Sequence, residues 1–212
     1  MAEIILPLFP LNLVAFPGER LNLHIFEPRY RQLIKECEEE GKTFVICPHY
    51  NGKNLPVGAE MRLSKIEKRY DNGKMDIRTE GIGLVKINAF YKTIIGKLYP
   101  GAEIERMHWD DESNFKKNKE LLGLVKELYE IMNVENVILK SPALFRTYEV
   151  AHKIGLSFQQ EIEFLKLGKE IDRQNYMLHH LKHILPIVKE MEAMKSKAKM
   201  NGHFKNVIPP KF

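Results

Sequence analysis

Apolar and polar residues alternate most regularly at Leu21, Leu23 and Ile25, with Asn22 and His24 between them. A period of two predicts a half-buried strand. Upstream, Leu6, Leu8, Val14 and Phe16 read as apolar strand positions. Pro7 and Pro10 lack a backbone N–H, so they suit a strand edge or strand start. Pro17-Gly18 predicts a type II turn, with proline presetting the first central φ and glycine accepting the positive one that follows. After Phe26-Glu27-Pro28 the period changes. Tyr30, Leu33, Ile34 and Cys37 fall on one helical face, with Pro28 as first helical residue and Gly41 as C-cap.

The rest of the chain extends this pattern. Thr43–Cys47 is a continuous apolar run, expected as a strand covered on both faces, and Pro48–Pro56 is a polar, turn-rich loop. Ala59, Met61 and Leu63 alternate, but Ile66 is out of phase, which predicts a bulge near Ser64-Lys65. Asn72-Gly73 predicts a type I′ hairpin, with Met75, Ile77 and Thr79 returning on the partner strand. Gly81-Ile82-Gly83 precedes a strand at Leu84–Ile87, and another is expected over Tyr91–Tyr99, ending at Pro100-Gly101. His108–Asn118 reads as a linker. Leu121, Leu122, Val125, Leu128 and Met132 form a helical stripe. Ser141-Pro142 predicts a second helix start, with Leu144, Tyr148, Ala151 and Ile154 on one face and Gly155 at its end. Ser157 and Gln160 have the spacing of a capping box opening a third helix. Leu178, Leu181, Leu185 and Val188 mark a last helix, kinked at Pro186. The expected fold class is α+β. It comprises an antiparallel β-barrel with one helix over residues 1–107, an α-helical bundle over 108–194 and a basic tail over 195–212.

Three segments carry a family resemblance. Leu6-Pro7-Leu8-Phe9-Pro10-Leu11, Phe16-Pro17-Gly18 and Ile25-Phe26-Glu27-Pro28-Arg29-Tyr30 together resemble the opening of the LON N-terminal domain. That domain is the substrate-binding module of Lon-type ATP-dependent proteases. Val57–Ile87, with Gly58, Asp71-Asn72-Gly73 and Gly81–Val85 as landmarks, is similar to the second half of that barrel, which belongs to the PUA-like superfamily. Ser157–Leu181 resembles, more loosely, the helices that follow the barrel in Lon N-terminal regions. The resemblance is closest to freestanding bacterial proteins that carry the domain without a protease. It implies a non-catalytic, cytoplasmic protein that binds unfolded or tagged polypeptides and works beside a separate ATP-dependent protease.

Composition narrows the function classes. The 212 residues are 44% hydrophobic, and no apolar run reaches the ~20 residues of a membrane helix. Glu3 and several prolines interrupt the N-terminus, so no leader pattern opens the chain. The formal charge is +5, but six lysines and two glutamates in Lys189–Phe212 account for +4 of it. The body is therefore nearly neutral, and the basic balance does not make it a nucleic-acid binder. Cys37 and Cys47 lack CxxC spacing and read as reduced core thiols of a cytosolic protein.

Motif chemistry points to binding. No GxxxxGK[ST] phosphate loop is present, and the length has no room for a Ser-Lys protease domain, so neither an ATPase nor a protease is expected. His179 and His183 share a helix face, but H-E-x-x-H is absent and no third ligand has a fixed spacing, so no metal is expected. Cys47 and His49 point to one side of a strand without an orienting acid, which favours a core thiol over a nucleophile. No cofactor is expected. Glu27 with Arg29 or Arg31 reads as a network fixing the strand-to-helix corner. The residues expected to contact peptide are Phe9, Phe16, Phe26, Arg29 and Tyr30, with Trp109 in the linker. Each of the aromatics has a core role as its alternative. RNA binding by Lys65, Lys68, Arg69 and Lys74 around the hairpin is the alternative function, although stacking aromatics are missing apart from Tyr70.

Overall fold

A computed structural model describes residues 4–135 and 138–200, with side chains described as far as Lys197. Strands β1 (Ile4–Leu11), β2 (Arg20–Ile25), β3 (Thr43–Tyr50), β4 (Lys53–Asn54), β5 (Val57–Arg69), β6 (Met75–Tyr91) and β7 (Gly101–Met107) make one mixed sheet. Helix α1 (Pro28–Glu40) lies between β2 and β3 in sequence, and α2 (Phe115–Ile131), α3 (Phe158–Leu165) and α4 (Glu170–Met200) follow the strands. No described helix is long and apolar enough to cross a membrane.

The sheet closes on itself. The order β1-β7-β6-β5-β3 returns to β1 through a parallel β1–β3 pairing, Leu8–Leu11 against Val45–Pro48. All other pairings are antiparallel. Strand β1 is therefore not a free edge, as its prolines had suggested. It pairs with β7 over Ile4–Pro7 and changes to β3 at Leu8. Each half has one ladder partner, which leaves a side where a proline breaks no bond.

Two cores result from strand alternation. Leu8, Val45, Cys47, Val85, Ile87, Ala102 and Ile104 fill the inside of the ring. On its outer face Phe9, Phe44, Ile46, Ala59, Met61, Met75 and Ile77 meet Tyr30, Leu33, Ile34 and Cys37 of α1. That α1 stripe is the one the sequence predicts. Pro28 opens the helix and Gly41 closes it at φ 66°, its amide donating to Cys37 O at 3.1 Å.

Several local expectations hold. Gly18 has φ 76° and Glu19 N donates to Phe16 O at 3.1 Å, as a type II turn requires. A register shift falls between Leu63 and Lys65. Ser157 and Gln160 form both bonds of a capping box. Others are corrected. At Asn72-Gly73 only the glycine has positive φ, and Gly73 N donates to Tyr70 O at 2.8 Å. This is a three-residue loop with a G1 bulge, not a type I′ turn. The type I′ turn is at Asn51-Gly52, with φ 49° and 74°, joining β3 to β4. Val14–Phe16 is buried but irregular, and Leu84–Ile87 is part of the long β6. Tyr91 ends β6, and no strand forms from there to Tyr99. A turn at Ile94–Lys97, with Gly96 at φ 73°, occupies that stretch and β7 starts at Gly101.

The chain divides into two compact units, Met1–Glu112 with Arg146–Arg173, and Ser113–Phe145 with Gln174–Phe212. The expected helix after Ser141-Pro142 is absent. A turn follows Pro142, then two short 3-10 helices at Thr147–Glu149 and Ala151–Lys153. Tyr148, Ala151 and Ile154 are buried as expected, but Leu144 is exposed. The physical reason is tertiary. Glu170, fully buried, accepts from Thr147 N at 2.8 Å, Thr147 Oγ1 at 2.9 Å and Arg173 Nε at 2.8 Å. Burial pushes the Glu170 carboxyl up, and the Arg173 guanidinium opposes that. In the second unit the expected linker is helical from Phe115, capped by Asn114. Lys182 pairs with Glu120 at 2.7 Å and Lys189 with Glu127 at 2.5 Å. A seven-residue step on both helices means that α2 and α4 run parallel. Met132 ends the α2 stripe exposed, and Pro186 is accommodated within α4. Helix α4 runs to Met200, into the expected basic tail. The rest of that tail lies outside the described residues.

Candidate functional site

Within the first unit, an open cleft of about 770 Å³ lies between the start of β1 and the C-terminal end of α1. Ile5, Leu6 and Pro7 from β1 line it, with Ile82 of β6 and Ile94 and Tyr99 of the segment before β7. Lys42, Lys97 and Arg106 provide positive charge, and Glu40 and Glu60 negative charge. The left-handed Gly41 cap turns the chain out of α1 and brings Lys42 and Thr43 into the cleft.

The cleft charges are fixed by pairing. Glu60, only 3% exposed, accepts from Arg106 Nε at 2.7 Å, Arg106 Nη2 at 2.9 Å and Thr43 Oγ1 at 2.7 Å. The Arg106 hydrogen bonds outweigh burial and hold the Glu60 carboxyl below the usual range, and Arg106 is raised in turn. Behind the cleft, Glu36 of α1 accepts from Tyr99 Oη at 2.6 Å and Lys97 Nζ at 2.8 Å, with Lys42 Nζ at 3.5 Å. Burial works against ionising Glu36. The bonds from Lys97 and Tyr99 and the charges of Lys97 and Lys42 overcome it and hold the carboxyl at about 2. Burial and the Glu36 carboxylate together raise Tyr99, which stays protonated. These shifts take the carboxylates and the phenol away from neutral pH, so they are held in fixed charge states.

The residues expected from sequence are dispersed. Phe9 stacks on Tyr30 with ring centroids 3.8 Å apart, and both are buried. Phe16 is fully buried in a different cluster, 4.8 Å from Tyr148 and 5.9 Å from Phe164. Phe26 is 58% exposed, beside His24. Arg29 lies 4.6 Å above the Tyr30 ring and donates to Glu27 Oε2 at 2.9 Å, while Arg31 reaches Asn72 O at 2.8 Å. Trp109 is half-buried between β7 and α2 in sequence. Around the hairpin, Lys65 pairs with Glu67 at 2.8 Å and Arg69 with Glu38 at 2.5 Å, and Lys68 lies over Tyr70. Cys47 is buried, and the His49 ring is bonded to Asn54. Among the described residues no cluster of three or more His, Cys, Asp or Glu could hold a metal. The cleft residues were missed by sequence reasoning. Glu60, a lone charge inside the apolar run Val57–Met61, was the available signal.

The fold has known counterparts. A Lon N-terminal domain protein from Xanthomonas campestris superposes with a TM-score of 0.65 at 21% identity, over 83% of this chain and 98% of that one. The N-terminal domain of a Mycobacterium avium complex Lon protease superposes with a TM-score of 0.58 at 14% identity, over 84% and 98%. No curated protein matches the chain. The sequence profile of the ATP-dependent protease La (LON) substrate-binding domain matches residues 5–190. An α+β barrel followed by helices, matched in sequence over most of its length, places the chain in that family: it belongs to the LON substrate-binding domain family.

Proposed function

We propose that this chain is a non-catalytic polypeptide-binding protein, and that the cleft between β1 and α1 takes unfolded or tagged segments for a separate ATP-dependent protease. The observation that carries the reading is the cleft's construction in a chain of this family. Its lining combines apolar side chains, Ile5 among them at 47% exposure, with paired charges. An unfolded segment presents apolar side chains beside free main-chain polar groups, and such a cleft meets both. Of the hairpin residues that would serve RNA, Arg69 pairs with Glu38, and the ring of Tyr70, the one aromatic placed to stack a base, is covered by Lys68, which favours polypeptide.

The test is calorimetry against a reduced, carboxymethylated protein and its native form. Saturable binding of the unfolded form alone is expected without nucleotide, weakened at least fivefold in Ile5→Asp. Absence of saturable binding to the unfolded form overturns the reading.

A further inference from the structure

Beside the closed ring, β2, β6 and the distal half of β5 make a three-stranded ribbon with two outer edges, and these edges are built differently. The β5 edge beyond Arg62 has no strand partner among the described residues. It carries register shifts at Leu63/Lys65 and Ile66/Lys68, and the charges of Lys65, Glu67, Lys68 and Arg69. Bulges and charges are how proteins protect an edge from pairing. The β2 edge has neither device. Arg20–Ile25 pairs with Glu80–Met75 without a register shift, contains no proline and has one fixed charge, Arg20.

The main chain of β2 shows which groups are available. Gly81 N donates to Glu19 O at 2.9 Å, and Thr79 Oγ1 reaches Leu21 O at 3.1 Å. Positions 19 and 21 therefore face β6, and by strand alternation so do Leu23 and Ile25. The N–H and C=O groups of Arg20, Asn22 and His24 then point away from β6, and all three residues are exposed. No described strand lies beyond them. The two faces beside this edge differ in chemistry. Leu21 and Leu23 are half-buried and join Leu11 and Leu13 at the margin of the outer core. The opposite face places Arg20, Arg62, Lys65, Lys68 and Arg78 against only Glu67, Asp76 and Glu80, by cross-strand register and ion pairing.

We infer that β2 is a strand-addition site for an extended polypeptide in which acidic and apolar residues alternate. The added strand would hydrogen-bond the main chain of Arg20, Asn22 and His24, lay apolar side chains beside Leu21 and Leu23, and turn its carboxylates to the basic face. This inference rests on the reading of the chain as a polypeptide binder, but its surface is separate from the cleft.

The probe is a ten-residue peptide of alternating valine and glutamate. Two counterparts accompany it, one with lysine for glutamate and one N-methylated on its central six amides. Binding at least tenfold weaker for both counterparts is expected. Hydrogen exchange at the Arg20, Asn22 and His24 amides should slow at least tenfold on saturation. Asn22→Pro, which removes an outward N–H from an edge strand, should weaken the probe at least tenfold with the melting temperature unchanged. Equal binding of the N-methylated peptide overturns the inference. So do unchanged exchange at the three amides, protection of those amides by self-association, or preference for a single-stranded oligonucleotide over the peptide. If any of these occurs while unfolded protein still binds in an Ile5-dependent way, the edge site fails and the cleft reading stands.

Discussion

Arg106 grips Glu60 through two parallel hydrogen bonds, Nε to Oε2 at 2.7 Å and Nη2 to Oε1 at 2.9 Å, joining β7 to β5 across the intervening β6. The pair is asymmetric in solvent, because the Glu60 side chain is 4% exposed and that of Arg106 55%. Removing the arginine strands a buried carboxylate, whereas removing the glutamate frees a cation that water can solvate. Arg106→Ala should therefore destabilise by about 2 kcal/mol, and more than Glu60→Gln. The pH dependence has a definite sign. A depressed folded pKa contributes stability above the unfolded value of 4.5, lost as pH falls through the folded one. In Arg106→Ala only the Thr43 hydrogen bond still opposes burial, so the carboxyl rises from its wild-type position and the acid unfolding midpoint should move to higher pH. Circular dichroism across an acid titration checks this, and an unmoved midpoint contradicts it.

His152 is held between two carboxylates, Nδ1 at 2.7 Å from Glu161 Oε1 and Nε2 at 3.2 Å from Glu19 Oε1, with the Phe16 ring 4.8 Å away. Burial alone would lower its pKa. The hydrogen bonds to Glu161 and Glu19 outweigh burial and raise it to about 9. A raised folded pKa gives stability fully present below the unfolded value of 6.5 and lost as pH rises through about 9. The wild type should exceed His152→Gln in melting temperature at pH 6, and the difference should shrink to its minimum by pH 10. Cys37 and Cys47, both pushed up to about 12 by burial, also disfavour folding at high pH. They do so equally in both proteins, so the difference isolates His152. A difference constant across the range sinks this assignment.

What could be read from the sequence was what neighbours along the chain decide. The face and ends of α1, the Phe16–Glu19 turn and the Ser157 box depend on residues within about two helical turns, and they appear where expected. The same dipeptide at Asn51-Gly52 and Asn72-Gly73 shows the limit. Only the former joins strands through two left-handed residues, because the flanking register sets the loop length. Ser141-Pro142 carries a helix-start signal, but Glu170 takes the Thr147 amide and hydroxyl and a 3-10 turn results. The cleft was invisible for a related reason. Ile5, Glu60 and Arg106 become neighbours only through long-range strand pairing, β1 with β7 and β7 with β5 across β6. Of the expected contact residues, Phe9, Phe16 and Tyr30 spend their area on packing, while Phe26 and Arg29 remain at the surface.

Gly81 and Gly83 offer a paired test of how the β1–β2 connection is seated. Gly81 N donates to Glu19 O at 2.9 Å and its carbonyl accepts from Gly18 N at 2.8 Å. A Cβ on Gly81 would lie 2.2 Å from Phe16 O and 3.2 Å from Pro17 Cα, both main-chain atoms of a hydrogen-bonded turn. The same atom on Gly83 would meet only Glu60 Cβ at 3.9 Å and Oε2 at 4.0 Å, ordinary contacts. Neither glycine has a positive φ, so backbone freedom does not separate them. Gly81→Ala must lift the turn off β6, breaking two main-chain bonds and disturbing Phe16 within its aromatic cluster. The expected cost is about 3 kcal/mol, read as a lower denaturation midpoint. Gly83→Ala should lie within about 1 kcal/mol of wild type, because restricting the unfolded chain offsets the lost glycine. Equal stability of the two variants in urea denaturation would contradict the close approach of this turn to β6.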